Sequence, residues 1–243
     1  MNTVQRRALV TGASGDIGAA ICRRLAAAGH YVYVHANRNH AAAAALAAEL
    51  NATTRCSETL VFDVTDADAT RAQLEALVAD VPIQILVNNA GVNDDAAFPG
   101  MSARQWHRVI DVTVDGFFNV THPLVLPMIR SRWGRIVNMS SIAALVGNRG
   151  QVNYAAAKGA INAATRSLAL EIASRGVTVN AVAPGIIAGR MIENSFDADS
   201  IARLVPMKRA GSPQEVASLV GYLCSDEAAY ITGQVISVNG GLI

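Results

Sequence analysis

The residues with chemistry to offer are Ser141, Tyr154 and Lys158. Tyr154 and Lys158 stand four apart, a spacing that puts both on one face of a helix, one turn from each other. An ammonium beside a phenol favours the phenolate, so the tyrosine pKa is expected to fall from about 10 toward the range of a working general acid or base. Ser141 precedes the tyrosine by thirteen residues and follows the run Arg135-Ile136-Val137-Asn138-Met139. That run reads as a strand, which puts the Ser141 hydroxyl at a strand end, across a cleft from the helix. A hydroxyl there can hydrogen-bond a substrate oxygen. The three together suit moving a proton on or off a carbonyl or alcohol oxygen while a hydride moves at carbon. A tyrosine and a lysine at this spacing also arise as an ordinary surface pair, so their meaning depends on the elements that position them.

Those elements alternate. A strand is expected over Arg7–Val10, and the turn Thr11-Gly12-Ala13-Ser14-Gly15-Asp16-Ile17-Gly18 leads into a helix over Ile17–Ala28 that stops at Gly29. Further strands are expected at Tyr31–His35, Thr59–Phe62, Ile83–Val87, Ile136–Met139, Val177–Ala181 and Val235–Val238. Helices are expected at Ala41–Leu50, Asp66–Ala79, Arg104–Arg130, from Tyr154 on to Ala173, and at Pro213–Leu223, with Pro123 and Pro127 bending the third of these. Strands alternating with helices predict an α/β fold: a Rossmann-type doubly wound parallel sheet with helices on both faces. No linker or shift in composition divides residues 1–243, so one domain is expected.

The Gly-rich turn after the first strand lets backbone approach a pyrophosphate and aims a helix N-terminus at its charge. Asp63, Asn89 and Gly91 also fall at carboxyl ends of strands, the edge where open α/β sheets bind ligands. Each alone is an ordinary turn former; together they outline one crevice. The second strand runs into His35-Ala36-Asn37-Arg38 without an acid to hold a ribose 2′-hydroxyl. A 2′-phosphate is then not repelled and Arg38 can pair with it, so the expected cofactor is NADP (NADPH). Arg38 reads equally as a solvated loop charge.

Composition narrows the function. Half of the 243 residues are hydrophobic and 16% are charged, with 20 basic against 19 acidic side chains. Such a chain buries a large core, and nothing in it suggests nucleic acid or an acidic membrane surface. Cys22, Cys56 and Cys224 are scattered and show neither metal spacing nor a disulfide framework, so no metal is expected and the thiols fit a reducing, cytoplasmic setting. No signal-peptide pattern is seen at the N-terminus, and no apolar run is expected to span a bilayer.

These motifs resemble the short-chain dehydrogenase/reductase family over essentially the whole chain, and within it most closely the β-ketoacyl-[acyl-carrier-protein] reductases. The resemblance is carried by Ser141, Tyr154 and Lys158, by Gly12, Gly18, Asp63-Val64, Asn89-Ala90-Gly91 and Pro184-Gly185, by Gly147 to Tyr154, by Val179 to Gly185 and by Asn239-Gly240-Gly241. Pro127-Met128-Ile129, Asn148-Arg149-Gly150-Gln151 and Pro206-Met207-Lys208-Arg209 are similar to reductases of aryl polyene pathways. The resemblance implies reduction of a 3-oxoacyl thioester by NADPH, as in fatty acid or polyene biosynthesis. Tyr154 would be the proton donor, Ser141 would polarise the carbonyl, and Lys158 would tune the tyrosine and hold the nicotinamide ribose. Cofactor contacts are implied for Gly12, Ser14, Asp16, Ile17, Gly18, Asn37, Arg38, Asp63, Val64, Asn89, Ala90, Gly91, Tyr154, Lys158, Pro184, Gly185 and the backbone of Ile187. It also implies a homotetramer or homodimer, with the apolar stretches Ile161–Ile172 and Ile231–Ile243 supplying buried faces. Arg132 and Arg175 would be basic rim residues that dock an acyl carrier protein.

Three positions depart from the family pattern. Asp16 replaces the middle glycine of the turn and is expected to point away from a pyrophosphate; Thr113 replaces the catalytic Asn that holds a relay water; Gly189 replaces a Thr that touches the nicotinamide amide. Arg190 to Arg209 is expected to form a lid over the crevice. Two alternatives stay open: a reductase or dehydrogenase of another small carbonyl or alcohol, and a weakly catalytic nucleotide-binding partner subunit. An enoyl reductase of the same superfamily fits less well, because that group spaces its Tyr and Lys more widely.

Overall fold

The computed structural model describes residues 5–53, 56–189 and 197–243. In chain order the elements are β1 (Arg7–Val10), α1 (Asp16–Ala27), β2 (Tyr31–Ala36), α2 (His40–Thr53), β3 (Ser57–Val61), α3 (Ala67–Val78), β4 (Ile85–Asn88), α4 (Ala103–Ile110), α5 (Gly116–Ser131), β5 (Gly134–Met139), α6 (Ala143–Val146), α7 (Val152–Ile172), β6 (Val177–Pro184), α8 (Ala198–Leu204), α9 (Pro213–Leu223) and β7 (Val235–Val238). The seven strands form one sheet in the order β3-β2-β1-β4-β5-β6-β7, every pair parallel. This is the doubly wound α/β architecture that the alternation predicts.

Alternate residues of each strand enter different cores, because strand side chains point to opposite faces. Ala8 and Val10 of β1, Ile85 and Val87 of β4, and Val137 and Met139 of β5 pack on one face with Ile21, Leu25, Leu46, Val216 and Val220 from α1, α2 and α9. Leu9, Leu86 and Ile136 pack on the other with Leu74, Val120, Leu124, Met128 and Ile172 from α3, α5 and α7. Covering both faces explains why the strands read as nearly continuous apolar runs. The strand order reverses between β1 and β4, which pair at Ala8–Ile85 to Val10–Val87. At such a switch point the connections leave in opposite directions and open a crevice at the carboxyl edge.

Local signals set the helix starts. Ser102 and Gln105 form a capping box at α4, Ser212 and Glu215 form another at α9 with Pro213 in its first turn, and Asp66 caps α3 through the Ala69 N–H. Two expectations need correction. The helix expected over Arg104–Arg130 is continuous in outline, but Asp111–Asp115 winds as a π turn between α4 and α5, upstream of Pro123 and Pro127. This helical run, Ala103–Ser131, also reaches 29 residues, so among the described residues one helix is long and apolar enough to cross a membrane by length and composition. It is instead a core helix at Val120, Leu124 and Met128, which are fully or almost fully buried against the sheet. The three cysteines are buried and none is in a disulfide, and among the described residues no cluster of His, Cys, Asp and Glu could hold a metal.

Candidate active site

The crevice is assembled from strand ends. Thr11, following β1, acts as its knot: its Oγ1 accepts the N–H groups of Asn89 and Ala90, each at 2.9 Å, while the Asn89 side-chain amide donates to the carbonyls of Thr11 at 2.9 Å and Gly12 at 3.1 Å. Asn89 thus ties the loop after β4 to the Gly-rich turn. Gly12 holds a left-handed φ of +62°. Gly18, in the first turn of α1, lies so close to that turn that a Cβ would meet the Gly12 oxygen at 2.6 Å and Ala13 Cα at 2.8 Å. Only a bare backbone allows this approach of helix to loop.

Asp63, Asn37 and Arg38 gather beside the turn, past the ends of β3 and β2. Burial pushes the Asp63 carboxyl up, but hydrogen bonds from Thr65 and Asn37 and the Arg38 charge outweigh it and hold the group below its usual range. Thr65 donates through its N–H at 2.9 Å and its hydroxyl at 2.8 Å. Val64, buried, packs against the backbone of Gly116 at the start of α5.

Ser141 follows β5, and Tyr154 and Lys158 rise from the first turns of α7. The start of α7 is pinned by Asn153, which is fully buried; its amide donates to the carbonyls of Asp94 at 2.9 Å and Gln105 at 3.1 Å, and its Oδ1 accepts the Tyr154 N–H at 2.8 Å. Asn153 escapes sequence reading because both carbonyls it holds lie more than forty residues away, at separations of 59 and 48. A second network runs beneath the site: Asn88 donates to Thr121 and Asn138, and Asn138 donates to Thr165, all at 2.9 Å. It joins β4, β5, α5 and α7 through a half-buried and a buried amide, a polar layer that fixes their relative height.

The electrostatics differ from expectation. Lys158 is buried and donates to the Met139 carbonyl at 2.6 Å, with its ammonium 5.7 Å from the centre of the Tyr154 ring. Burial lowers its pKa to about 8. Burial likewise raises the Tyr154 phenol above its ordinary value; the Ser141 hydroxyl pulls it back, and the Asp95 charge pushes it up again. The expected fall of the Tyr154 pKa is therefore absent from this arrangement, because the ammonium is engaged by a carbonyl and desolvation acts on both groups.

Thr113 sits in the π turn, buried, and its hydroxyl has no hydrogen-bond partner. With Asn88 and Lys158 it lines a small cavity holding about 10 Å³ of space for water centres, room for roughly one water. π turns often mark functional sites, and nothing in the run Val112-Thr113-Val114 announces one.

The remaining candidates divide. A Cβ on Gly91 would touch Lys158 Nζ at 3.4 Å, so this glycine does line the site. Gly185 is packed against Asn239, where a Cβ would approach within 2.8 Å, and Ile187 is buried with a bridge to Gly211. Asp16, the first residue of α1, neither faces open space nor stands apart: its Oδ2 lies 2.5 Å from where a Cβ on Gly189 would be, so the carboxylate leans across to the loop after β6. Of the expected lid, residues 190–196 lie outside the described residues. Ala198–Leu204 is helical, and Met207 donates its N–H to the Gly240 carbonyl at 3.1 Å. For Arg132 and Arg175 the expected rim position is corrected. Arg132 precedes β5 and Arg175 precedes β6, and the Arg132 carbonyl packs on Gly176. The two lie together at the amino edge of the parallel sheet, opposite the edge that carries Ser141, so within one chain they do not rim the crevice.

Residues 12–243 match the family model described as Enoyl-(Acyl carrier protein) reductase. The chain belongs to the short-chain dehydrogenase/reductase family. Among its relatives is the 3-oxoacyl-[acyl-carrier-protein] reductase FabG of Aggregatibacter actinomycetemcomitans, 44% identical over 239 residues, which cover 96% of this chain and 98% of that one. Nodulation protein G of Rhizobium sp. (strain N33) is also 44% identical, over 240 residues covering 98% and 96% of the two chains. The 3-oxoacyl-[acyl-carrier-protein] reductase of Synechocystis sp. is 42% identical over 238 residues, 97% and 96%.

Proposed function

We propose that the protein reduces a 3-oxoacyl thioester, carried on an acyl carrier protein, to the 3-hydroxyacyl thioester at the expense of NADPH. The observation that carries this is the convergence of Ser141, Tyr154 and Lys158 at the carboxyl edge beside a Gly-rich strand-to-helix turn; the two relatives named as such reductases agree with it.

The residues present fit a dinucleotide. Gly12 and Gly18 keep the turn bare where a Cβ would fill it, and α1 opens there with no side-chain cap on Gly15, which aims the positive end of the helix at a bound anion. Arg38 beside Asn37 and Asp63 would take the adenosine end, with a cation available for a 2′-phosphate. When bound, the nicotinamide supplies the hydride. Tyr154 gives its proton to the substrate oxygen as charge develops there, and Ser141 holds that oxygen. Lys158, anchored on the Met139 carbonyl one helical turn from Tyr154, would hold the nicotinamide ribose beside it. Thr113 would hold a water in the cavity beside Lys158, keeping part of a proton supply with a hydroxyl in place of an amide. Exposed Phe118, Leu126, Leu170 and Tyr230 would be covered in a homodimer or homotetramer, which light scattering tests.

The deciding experiment follows oxidation of NADPH, with NADH alongside, on acetoacetyl thioesters of coenzyme A and of an acyl carrier protein. Turnover with NADPH, faster on the carrier, is expected. An enoyl thioester belongs in the same set because of the family description; reduction of that substrate alone would replace the carbonyl assignment. Intact NADPH binding with no thioester turnover would favour another carbonyl substrate or a weakly catalytic partner subunit.

A further inference from the structure

We propose that His35 is a positioning residue for the nucleotide: its imidazole, as the neutral tautomer protonated on Nε2, holds the Gly-rich turn in the shape that receives the cofactor. This rests on the dinucleotide assignment above. His35 lies in β2 and is 1% exposed. Its ring centre is 4.1 Å from that of Phe62. The Gly12 N–H donates to Nδ1 at 3.1 Å, and Nε2 lies 2.9 Å from the Phe62 carbonyl oxygen. Gly12 brings a hydrogen, so Nδ1 must be bare; a carbonyl only accepts, so Nε2 must carry the proton. The two partners dictate the tautomer.

The same residue also accepts the next N–H of the turn, from Ala13 to the His35 carbonyl at 2.8 Å. Gly12 and Ala13 therefore spend their N–H groups on His35. The Gly12 carbonyl is fixed as well, accepting from Gly15 N–H at 3.2 Å and from Asn89 at 3.1 Å. With both polar groups of Gly12 held, the turn has one geometry before any ligand arrives, which spares the ordering cost on binding. An aliphatic side chain would suit a strand whose neighbours Val32, Val34 and Ala36 are all buried and apolar. A buried imidazole is tolerated there because both nitrogens are paired. Asp63 is the charged group that acts on the ring, and burial outweighs it, holding the imidazole pKa at about 4 and the ring neutral at physiological pH.

Two substitutions separate the halves of the bridge. In His35→Asn the Oδ1 falls near the place of Nδ1 and still accepts from Gly12. In His35→Gln the amide reaches the place of Nε2 and still donates to Phe62, leaving the Gly12 N–H buried without a partner. NADPH titration by fluorescence is expected to give a Kd raised about tenfold in the Gln variant, the effect of one unpaired buried donor, and within about threefold of wild type in the Asn variant. With NADPH saturating, kcat is expected within about twofold for both. A merely structural role would weaken both in step with their lost stability. A Gln variant that binds like wild type, or an Asn variant as weak as the Gln variant, overturns the proposal. Should neither variant fold, the ring nitrogens of the wild-type protein decide by ¹⁵N NMR: a protonated Nδ1 at neutral pH overturns it, and a bare Nδ1 with Nε2–H supports it. Wild-type protein that binds neither NADPH nor NADH overturns the dinucleotide assignment first, a loss visible before any substitution is made.

Discussion

Replacing Gly18 with alanine is expected to disable the nucleotide turn, whereas the same change at Gly15 is expected to be harmless to the fold. A Cβ on Gly18 would stand 2.6 Å from the Gly12 oxygen, 2.8 Å from Ala13 Cα and 2.8 Å from Asn89 Nδ2. Reaching an ordinary contact of about 3.4 Å from 2.6 Å requires a shift of about 0.8 Å. The obstacle is backbone, and it is fastened: the Gly12 carbonyl accepts from Gly15 and Asn89. Overpacking of this kind costs roughly 1–3 kcal/mol, and loosening one of those hydrogen bonds adds about 1 kcal/mol. A total near 3 kcal/mol lowers Tm by roughly 6–12 °C in a chain of this size. At Gly15 the nearest atom to a Cβ is the Gly12 oxygen at 3.5 Å, and the backbone, at φ −85° and ψ 165°, suits any residue. Gly15→Ala is therefore expected to keep Tm or raise it slightly, since alanine loses less chain entropy on folding. Calorimetry on the two variants, with NADPH titration of each, makes the comparison. A Gly18→Ala protein melting within about 2 °C of wild type, or a Gly15→Ala protein that falls as far, would refute the close approach of α1 to the turn.

Other expectations follow from the same geometry. Tyr154→Phe should cut turnover by roughly 10²-fold or more with NADPH affinity unchanged; retained turnover would remove the tyrosine from the proton step. Lys158 titrates at about 8 against 10.5 for the free side chain, so the folded state binds fewer protons across that window and this group adds stability as pH rises through it. Lys158→Met should therefore raise stability at pH 7 by about 1–3 kcal/mol of relieved burial, flatten that alkaline gain and abolish turnover; a variant destabilised at pH 7 would show that the Met139 contact outweighs desolvation. Thr113→Val removes an unpaired buried hydroxyl, so stability should hold or rise while kcat falls severalfold to about tenfold, and an unchanged kcat would dismiss the water at this position. For Asp16 and Gly189, a double-mutant cycle with Asp16→Gly and Gly189→Thr should show a coupling of about 0.5–1 kcal/mol in stability; additive effects would mean that the two positions act separately.

The parallel sheet was legible because both its faces are buried: runs such as Ala8-Leu9-Val10 and Ile85-Leu86-Val87 leave no polar alternation to misread. The turn and the Tyr154–Lys158 spacing were legible because each is set by residues adjacent in the chain. What escaped depends on distant partners. The role of His35 went unremarked in the sequence because its bonds are supplied by Gly12 and Phe62, 23 and 27 residues away. The π turn at Thr113 changes hydrogen-bond register without changing the hydrophobic pattern. Arg132 and Arg175 were expected at the crevice, yet their positions just before strands place them at the far edge of a parallel sheet. The direction of the Tyr154 pKa was missed for a similar reason: spacing along α7 brings Lys158 near, but the Met139 carbonyl, 19 residues before the lysine, is what the ammonium binds.

Asp16 and Gly189 show how two departures from a family pattern can be one. Taken singly, an acid in a phosphate-binding turn weakens anion binding, and a glycine after the sixth strand removes a side chain from the crevice. In space they are neighbours: a Cβ on Gly189 would lie 2.5 Å from Asp16 Oδ2 and 3.2 Å from its Cγ. The carboxylate fills the volume that a threonine at 189 would take, and Gly189, at φ +148°, holds a backbone conformation that side chains rarely adopt. Restoring the family threonine alone therefore meets both the acid and the backbone. Removing the acid clears only the first obstacle, so the double variant should recover part of the loss. That partial recovery distinguishes a compensating pair from two independent defects. The sequence put the acid at the opening of α1; its lean across to the loop after β6 comes from the fold.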